Sequence, residues 1–335
     1  MDPLANIPGV DVVKDCRPDD IPEEVLKSDV PLLLKGLVAD WPAVKACSDS
    51  LQNAARYLSQ FATNDLVTVY VSNENNGRFF YNEDCTEFNF RAGTAPLAQV
   101  MVKLNENPGD TGESIYVGST NVDHWFPGFR KENDLDLPSD GLVSIWIGNK
   151  TRISAHYDYP DNIACVVAGE RRFTLFPPEQ IDNLYIGPVD RTPSGQAISL
   201  VDFANPDFDK HPRFEEALKH ALVCDMQPGD AIFLPSMWWH HVEAFSPFNI
   251  LVNYWWVSSS VHMNSPRTAL LHGMLAMRDL PERQRAAWKK MFDYYVFDAD
   301  EKVYEHIPEA GRGCLAPLDE ASAKALEEEV IKRLG

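Results

Sequence analysis

Basic charge is scarce in this chain: 30 lysines and arginines stand against 50 aspartates and glutamates, for a formal net charge of -20. A surface that tracks nucleic-acid phosphates needs clustered Lys and Arg to release counterions, so a nucleic-acid partner is not expected. Basic peptides or basic protein patches would be steered towards such a surface instead. Paired cysteines are also lacking. Cys16, Cys47, Cys85, Cys165, Cys224 and Cys314 never fall at CxxC spacing, which excludes the common zinc and dithiol motifs and leaves free thiols. No apolar run approaches the length that spans a bilayer, so no membrane partner is expected. Met1 to Pro8 has neither the basic start nor the apolar centre of a signal peptide, and a cytoplasmic location is the expectation. Internal repeats and low-complexity tracts are absent.

What remains is an ordinary globular composition, 44% hydrophobic and 24% charged over 335 residues, enough for one large domain with appendages or for two domains. An acidic, helix-like piece over 18–27 precedes the apolar run Val30–Leu37, which reads as a buried strand closed by Gly36. Asp40, Trp41 and Pro42 look like a helix entry, and 44–61 carries a helical period. Leu66–Val71 is β-branched and predicts a strand. Asn75-Asn76-Gly77 before Arg78–Tyr81 predicts a hairpin. Further expectations are a helix over 96–106, a strand over 114–118 and a loop-rich connection over 124–140.

Regular strands then begin. Short apolar segments at 142–147, 153–156, 163–167, 171–176, 231–234 and 249–256 are separated by Gly, Pro, Asn or Asp, the rhythm of an antiparallel sandwich or barrel. A long polar insertion over about 182–222, with a helix near its end, interrupts them. An insertion of that size is more often functional than idle. After Ser258 the character turns helical, over 267–277, 281–297 and 319–334, with Asp319 as a start signal and Lys332 and Arg333 favourably placed at the far end.

The chemistry-bearing stretch is His156-Tyr157-Asp158. On a strand, alternate residues share a face, so His156 and Asp158 point together with Tyr157 opposite. A partner arrives late, in the turn Pro228-Gly229-Asp230 followed by an apolar strand that ends on His240 and His241. Two imidazoles and a carboxylate on one face of a metal, with other positions open, are the facial triad of non-haem iron oxygenases, although zinc and manganese accept the same donors. Adjacent strand residues face opposite ways, so only one of His240 and His241 can serve. His124, His211, His220, His262, His272 and His306 have no ligand-like spacing and read as structural or surface residues. A basic residue inside a barrel needs an anion, because an unpaired buried charge is costly. Lys150, Arg152, Arg171 and Arg172 are the candidates.

Taken with Asn162, Gly169, Phe176-Pro177-Pro178, Val201-Asp202-Phe203, Asn205-Pro206-Asp207, Trp238-Trp239 and Val252-Asn253-Tyr254-Trp255, these motifs resemble the cupin-like Jumonji C (JmjC) oxygenases. The branch they resemble includes the asparaginyl hydroxylase that inhibits hypoxia-inducible factor. The resemblance implies a mainly β fold with flanking helices. In it an α/β N-terminal region over 1–139 supports a double-stranded β-helix (cupin, jelly-roll) core over 140–257, and a helical region occupies 258–335. It implies Fe(II) held by His156, Asp158 and His240, with 2-oxoglutarate and O2 as cosubstrates. Asn162, Asn253 and Trp255 fall along the cosubstrate pocket, and Tyr116 with Arg171 at its distal carboxylate. Arg171 stands where that hydroxylase has lysine, with Arg172 as fallback, and Ile153 stands where it has threonine, removing a hydrogen bond. The implied activity is that of a dioxygenase hydroxylating a side chain of a protein or peptide. The alternatives are the same chemistry on a small molecule, or a metal-binding cupin scaffold without turnover. The resemblance, with the apolar stripes around Leu270, Leu271, Met274 and Trp288, also gives the expectation of a homodimer through the C-terminal helices.

Overall fold

A computed structural model of the chain describes residues 4, 6–73, 77–107, 112–137, 141–193, 195–258 and 263–335. Its strands, in chain order, are β1 (Asp11–Val13), β2 (Leu32–Leu34), β3 (Leu66–Ser72), β4 (Arg78–Phe79), β5 (Arg91–Pro96), β6 (Ser114–Asn121), β7 (Leu142–Gly148), β8 (Thr151–His156), β9 (Asp161–Ala168), β10 (Arg171–Phe176), β11 (Leu222–Met226), β12 (Ala231–Leu234), β13 (Trp239–Ala244) and β14 (Asn249–Trp256). Its α-helices are α1 (Glu23–Leu26), α2 (Pro42–Cys47), α3 (Leu51–Leu58), α4 (Leu97–Glu106), α5 (Val122–Trp125), α6 (Phe214–Lys219), α7 (Pro266–Met277), α8 (Glu282–Phe292) and α9 (Glu320–Leu334). None is long and apolar enough to cross a membrane among the described residues.

The strands form two sheets, a nine-stranded one of order β1-β2-β12-β9-β14-β7-β6-β3-β5 and a five-stranded one of order β11-β10-β13-β8-β4. Side-chain alternation decides what each face does. On one face of the large sheet Val69, Ile115, Ile145, Ile163 and Val252 pack with Val44, Leu58, Leu97 and Met101 of α2, α3 and α4. On the other, Ala164, Val166 and Leu251 meet Phe173, Leu175 and Val242 of the small sheet. β9, covered on both sides, is therefore buried along nearly its whole length. The small sheet's outer face carries a third cluster, Phe176, Val201, Phe203, Phe214 and Trp239, roofed by the insertion between β10 and β11. The architecture is mainly β with flanking helices.

Residues Met1–Ser258 make one compact unit and Ser259–Gly335 a second. In the first, the N-terminal region contributes β1, β2, β3, β5 and β6 to the large sheet itself. Buried Asp230 ties its turn to the N-terminal segment, accepting from Lys35 Nζ at 2.7 Å and from the Gly36 and Gln227 amides at 3.0 Å each. Gly229 before it has φ +97°, and a Cβ there would lie 2.9 Å from Ala39 Cα. In the second unit an Asp319–Ser322 capping box starts α9, and none of α7, α8 and α9 buries a residue.

Several local expectations are corrected. The helical period over 44–61 is split into α2 and α3, because Ser50 accepts from the Asn53 amide and caps a new helix. The acidic piece over 18–27 yields only the four-residue α1. The run Val30–Leu37 yields only β2, since a turn follows Leu34. Asn75 and Asn76 of the expected hairpin lie outside the described residues. β4 after them pairs in parallel with β8 in the small sheet, while β3 pairs with β5 and β6. The histidine pair does not end the apolar strand. β12 closes at Leu234, the chain crosses to the other sheet through Met237 at φ 68°, and His240 and His241 open β13.

Candidate metal centre

β8 and β13 run antiparallel with His156 directly opposite His240. Alternation on β13 sends His240 inward and His241 outward, where the His241 ring lies 4.6 Å from that of Phe203. Burial pushes His241 down to about 3, so it stays neutral in an apolar seat. Between Val242 and His240 the register slips: Ser154 and Ala155 lie opposite the single residue His241. This bulge resets the alternation, so Ile153 and His156, three positions apart, both line the cavity, and Ser154 lines it too. Asp158 lies two residues beyond the end of β8. Tyr157, between His156 and Asp158, turns out to Trp239, with ring centroids 4.9 Å apart.

The ring orientations are set by backbone. Nδ1 of His156 is 3.0 Å from the Ser154 carbonyl, and Nδ1 of His240 is 3.0 Å from the Trp238 carbonyl. A carbonyl only accepts, so each Nδ1 carries a proton and Nε2 is the nitrogen turned towards the cavity. His240 Nε2 is 3.7 Å from Asp158 Oδ2, and one ligand atom from each of His156, Asp158 and His240 lies within 4.8 Å of the others. Burial, and after it the neighbouring His156, push His240 down to about 4, which keeps that imidazole neutral and ready to donate. His156, Asp158 and His240 would hold a first-row cation through these atoms. Trp255 Nε1 donates to the same Asp158 Oδ2 at 3.2 Å.

The triad opens into a cavity of about 460 Å³ between the sheets. Arg171, only 5% exposed, points into it from β10, and its Nε has no hydrogen-bond partner. Among the described residues no carboxylate pairs with it, and burial pushes the guanidinium down to about 10. The other basic candidates go elsewhere. Arg172 faces out and holds Asp225 bidentately at 2.7 and 2.9 Å, which removes it as a fallback. Arg152 holds Asp202 of the insertion at 2.8 Å, and Lys150 is not among the cavity-lining residues. Tyr116 lines the cavity near Arg171, its hydroxyl pushed far up by burial. Asn253 donates to Asn162 Oδ1 at 2.8 Å and leaves its own Oδ1 buried without a partner.

Residues 18–262 match the family described as the cupin-like domain. The chain belongs to that family. This cupin-like protein is similar to the lysine-specific demethylase JMJ31 of Arabidopsis thaliana, 31% identical over 182 residues, which are 52% of this chain and 31% of the relative. It is similar to Jumonji C domain-containing protein 5 of Drosophila melanogaster, 25% identical over 245 residues, 68% of this chain and 54% of the relative. It is also similar to tRNA wybutosine-synthesizing protein 5 of Gallus gallus, 26% identical over 340 residues, 91% of this chain and 97% of the relative. The chain thus spans about a third of the plant relative, about half of the fly relative and nearly all of the chicken relative. The matches establish the cupin-like JmjC family, whose members are typically Fe(II)- and 2-oxoglutarate-dependent oxygenases. They do not reach the narrower asparaginyl hydroxylase branch.

The residues of this cupin-like protein fit such a group on two observations. Two imidazoles and a carboxylate converge, and a buried cation faces the same cavity with no anion paired to it among the described residues. Bound iron would supply oxygen activation coupled to decarboxylation of 2-oxoglutarate. The chain's own part would be to hold the donors, seat a dicarboxylate and keep water out. Residue-type reasoning missed Ser154 and Trp146, whose Oγ and Nε1 are buried without partners on the cavity wall. Trp146 was legible as the inward residue between Ile145 and Ile147, whereas Ser154 enters only through the bulge. Its hydroxyl stands beside Ile153, where the threonine hydroxyl is lost.

Trp255→Phe keeps the ring edge against Trp146, at 5.8 Å between centroids, and deletes the bond to Asp158. Mn(II) affinity, read by titration of intrinsic fluorescence, should fall about 10- to 100-fold with the melting temperature little changed. An affinity within twofold of wild type would show that Asp158 does not depend on that bond.

Proposed function

We propose that this protein is an Fe(II)- and 2-oxoglutarate-dependent oxygenase that hydroxylates a side chain of a protein or peptide. His156, Asp158 and His240 hold the iron, and Arg171 with Tyr116 receives the distal carboxylate of 2-oxoglutarate. Asn162 and Asn253 line its path, and Ser154 offers the hydroxyl that Ile153 lacks. The observation that carries the reading is Arg171, a buried guanidinium in the cavity of the triad without a counter-ion among the described residues. Leaving such a charge unpaired costs several kcal/mol, so the site is complete only when a ligand brings an anion. Arginine suits a carboxylate because its planar fork offers two parallel hydrogen bonds. The interior wall supports the exclusion of water: Tyr116 stacks on Trp146 at 5.5 Å, and Trp146 meets Trp255 edge-on. We also read α7, α8 and α9, with Leu275 of α7 and Ile331 of α9 exposed, as a homodimer interface, which sedimentation of a chain ending at Ser258 would test.

A second reading has a specific observation behind it. The chicken relative covered over 97% of its length is named for tRNA modification, and the same site could act on a tRNA nucleoside. The net charge of -20 weighs for the protein substrate. The test of the first reading is succinate release from 2-oxoglutarate with Fe(II) and O2, alone and with pooled basic peptides or pooled tRNA. Basal release with stimulation of at least about threefold by peptides supports it. Stimulation by tRNA alone moves the substrate to nucleic acid. No succinate under any condition leaves the scaffold reading.

A further inference from the structure

Each sheet has two outer edges, and three of the four are closed or too short to pair with much. β11 is covered by the N-terminal segment, where the Val10 amide donates to the Val223 carbonyl at 3.1 Å and the Val223 amide to the Pro8 carbonyl at 2.9 Å. β1 has three residues and β4 two. β5 differs. It has six residues, pairs on one side only, with β3 from Arg91↔Val71 to Pro96↔Leu66, and carries no buried residue. Among the described residues nothing hydrogen-bonds to its outer side. Edge strands of that length are commonly blunted by inward charges, bulges or prolines. In β5 the charge and the proline stand at the two ends, Arg91 and Pro96. The middle, Ala92-Gly93-Thr94-Ala95, has small side chains, and a Cβ built on Gly93 would meet nothing within 4 Å.

The free edge leads to the metal cavity. Phe90, the residue before β5, lines both that cavity and a groove of about 590 Å³ along β5, bordered by Phe88, Gly93, Gln99 and Lys103. The Phe90 ring lies 5.4 Å from Phe79 and 5.6 Å from Tyr70, both on the cavity wall, and stacks on Phe88 at 5.0 Å. A row of outward N–H and C=O groups at strand spacing is chemically a template for one thing, another extended polypeptide backbone. Resting on the oxygenase reading above, we infer that β5 is the substrate-docking edge: an extended segment of the protein substrate pairs with Arg91–Ala95 as an added strand, and its target residue passes over Phe90 into the cavity. Main-chain bonds supply the affinity. Sequence preference is confined to alternate side chains that meet the groove and to the residue delivered past Phe90.

Twelve-residue peptides selected from a random displayed library for binding to the full chain provide the probe. Amide exchange at residues 91–95 should slow at least tenfold in the presence of a selected peptide. N-methylation of alternate peptide amides should weaken binding at least tenfold in one parity and less than about twofold in the other, because only every second amide of an added strand faces its neighbour. The same protection should persist in His156→Ala, which makes docking separable from chemistry. If peptides dock on β5 while 2-oxoglutarate is never consumed, docking stands and the oxygenase reading falls. Docking falls by itself if succinate is formed but no selected peptide protects residues 91–95, if both methylation parities bind equally, or if no peptide can be selected. It also falls if the protecting species is pooled tRNA, or a second copy of the chain seen on concentrating the protein alone.

Discussion

His156→Ala should leave a folded protein in which metal-dependent succinate formation is lost by at least about a thousandfold, a barrier increase of roughly 4 kcal/mol. The reason lies in the donor count. Among the described residues only three ligand atoms converge at this place, and two of them hold a labile first-row cation far less well against water. His156 is half-buried at the end of β8, and its ring makes one bond, to a backbone carbonyl two residues away, so its removal takes little from the core. Circular dichroism and thermal melting close to wild type, with Mn(II) binding weakened at least a hundredfold, would complete the result. Retention of more than a tenth of the wild-type succinate rate would remove His156 from the metal centre, and with it the case for the triad.

Arg171→Met should give two effects of opposite sign. The apoprotein should become more stable, by about 1–4 kcal/mol, because an unpaired buried charge is replaced by an apolar side chain of similar length. Affinity for 2-oxoglutarate in the Mn(II)-loaded protein should fall by roughly 2–5 kcal/mol, that is by about 30-fold or more, because the ligand's distal carboxylate then lies buried without its partner. Metal affinity itself should not move, since Arg171 enters four residues along β10 from Leu175, the strand neighbour of His240. Scanning calorimetry and titration calorimetry measure the two signs. A variant that loses stability, or that binds 2-oxoglutarate within threefold of wild type, would mean that Arg171 has a partner within the protein and is not waiting for one. A purely structural arginine cannot produce the rise in melting temperature.

Much of this was readable from residues alone where local periodicity governs. The two-residue period of β14 separates Ile250, Val252 and Tyr254, which pack under the helices, from Leu251, Asn253 and Trp255, which face the cavity. The same alternation puts Arg171 and Arg172 on opposite faces and allows only one of His240 and His241 to face the metal. Where the reading erred, long-range pairing had overridden a local signal. The segment after Gly77 was placed in a hairpin because a turn sequence precedes it, yet β4 finds β8 in the other sheet. The helix over 44–61 looked continuous because apolar spacing survives across Ser48–Ser50, where a capping hydroxyl nonetheless starts a second helix. Trp255, which resemblance puts along the cosubstrate pocket, lines the cavity and also donates its indole N–H to Asp158.

The sequence by itself determined the donor types, the family, and which face of each inner strand is polar, because these follow from side-chain chemistry and from a period of two that needs no partner. Only the tertiary structure decided that His156 and His240, 84 positions apart, lie opposite each other. It also decided that a bulge turns Ser154 towards the cavity and that, among the described residues, Arg171 has no counter-ion and the outer side of β5, beside Phe90, has no partner strand. Each of these is a relation between strands brought together by the closing of two sheets. Whether a charge is satisfied or an edge is free depends on what arrives from elsewhere in the chain, which no local pattern encodes.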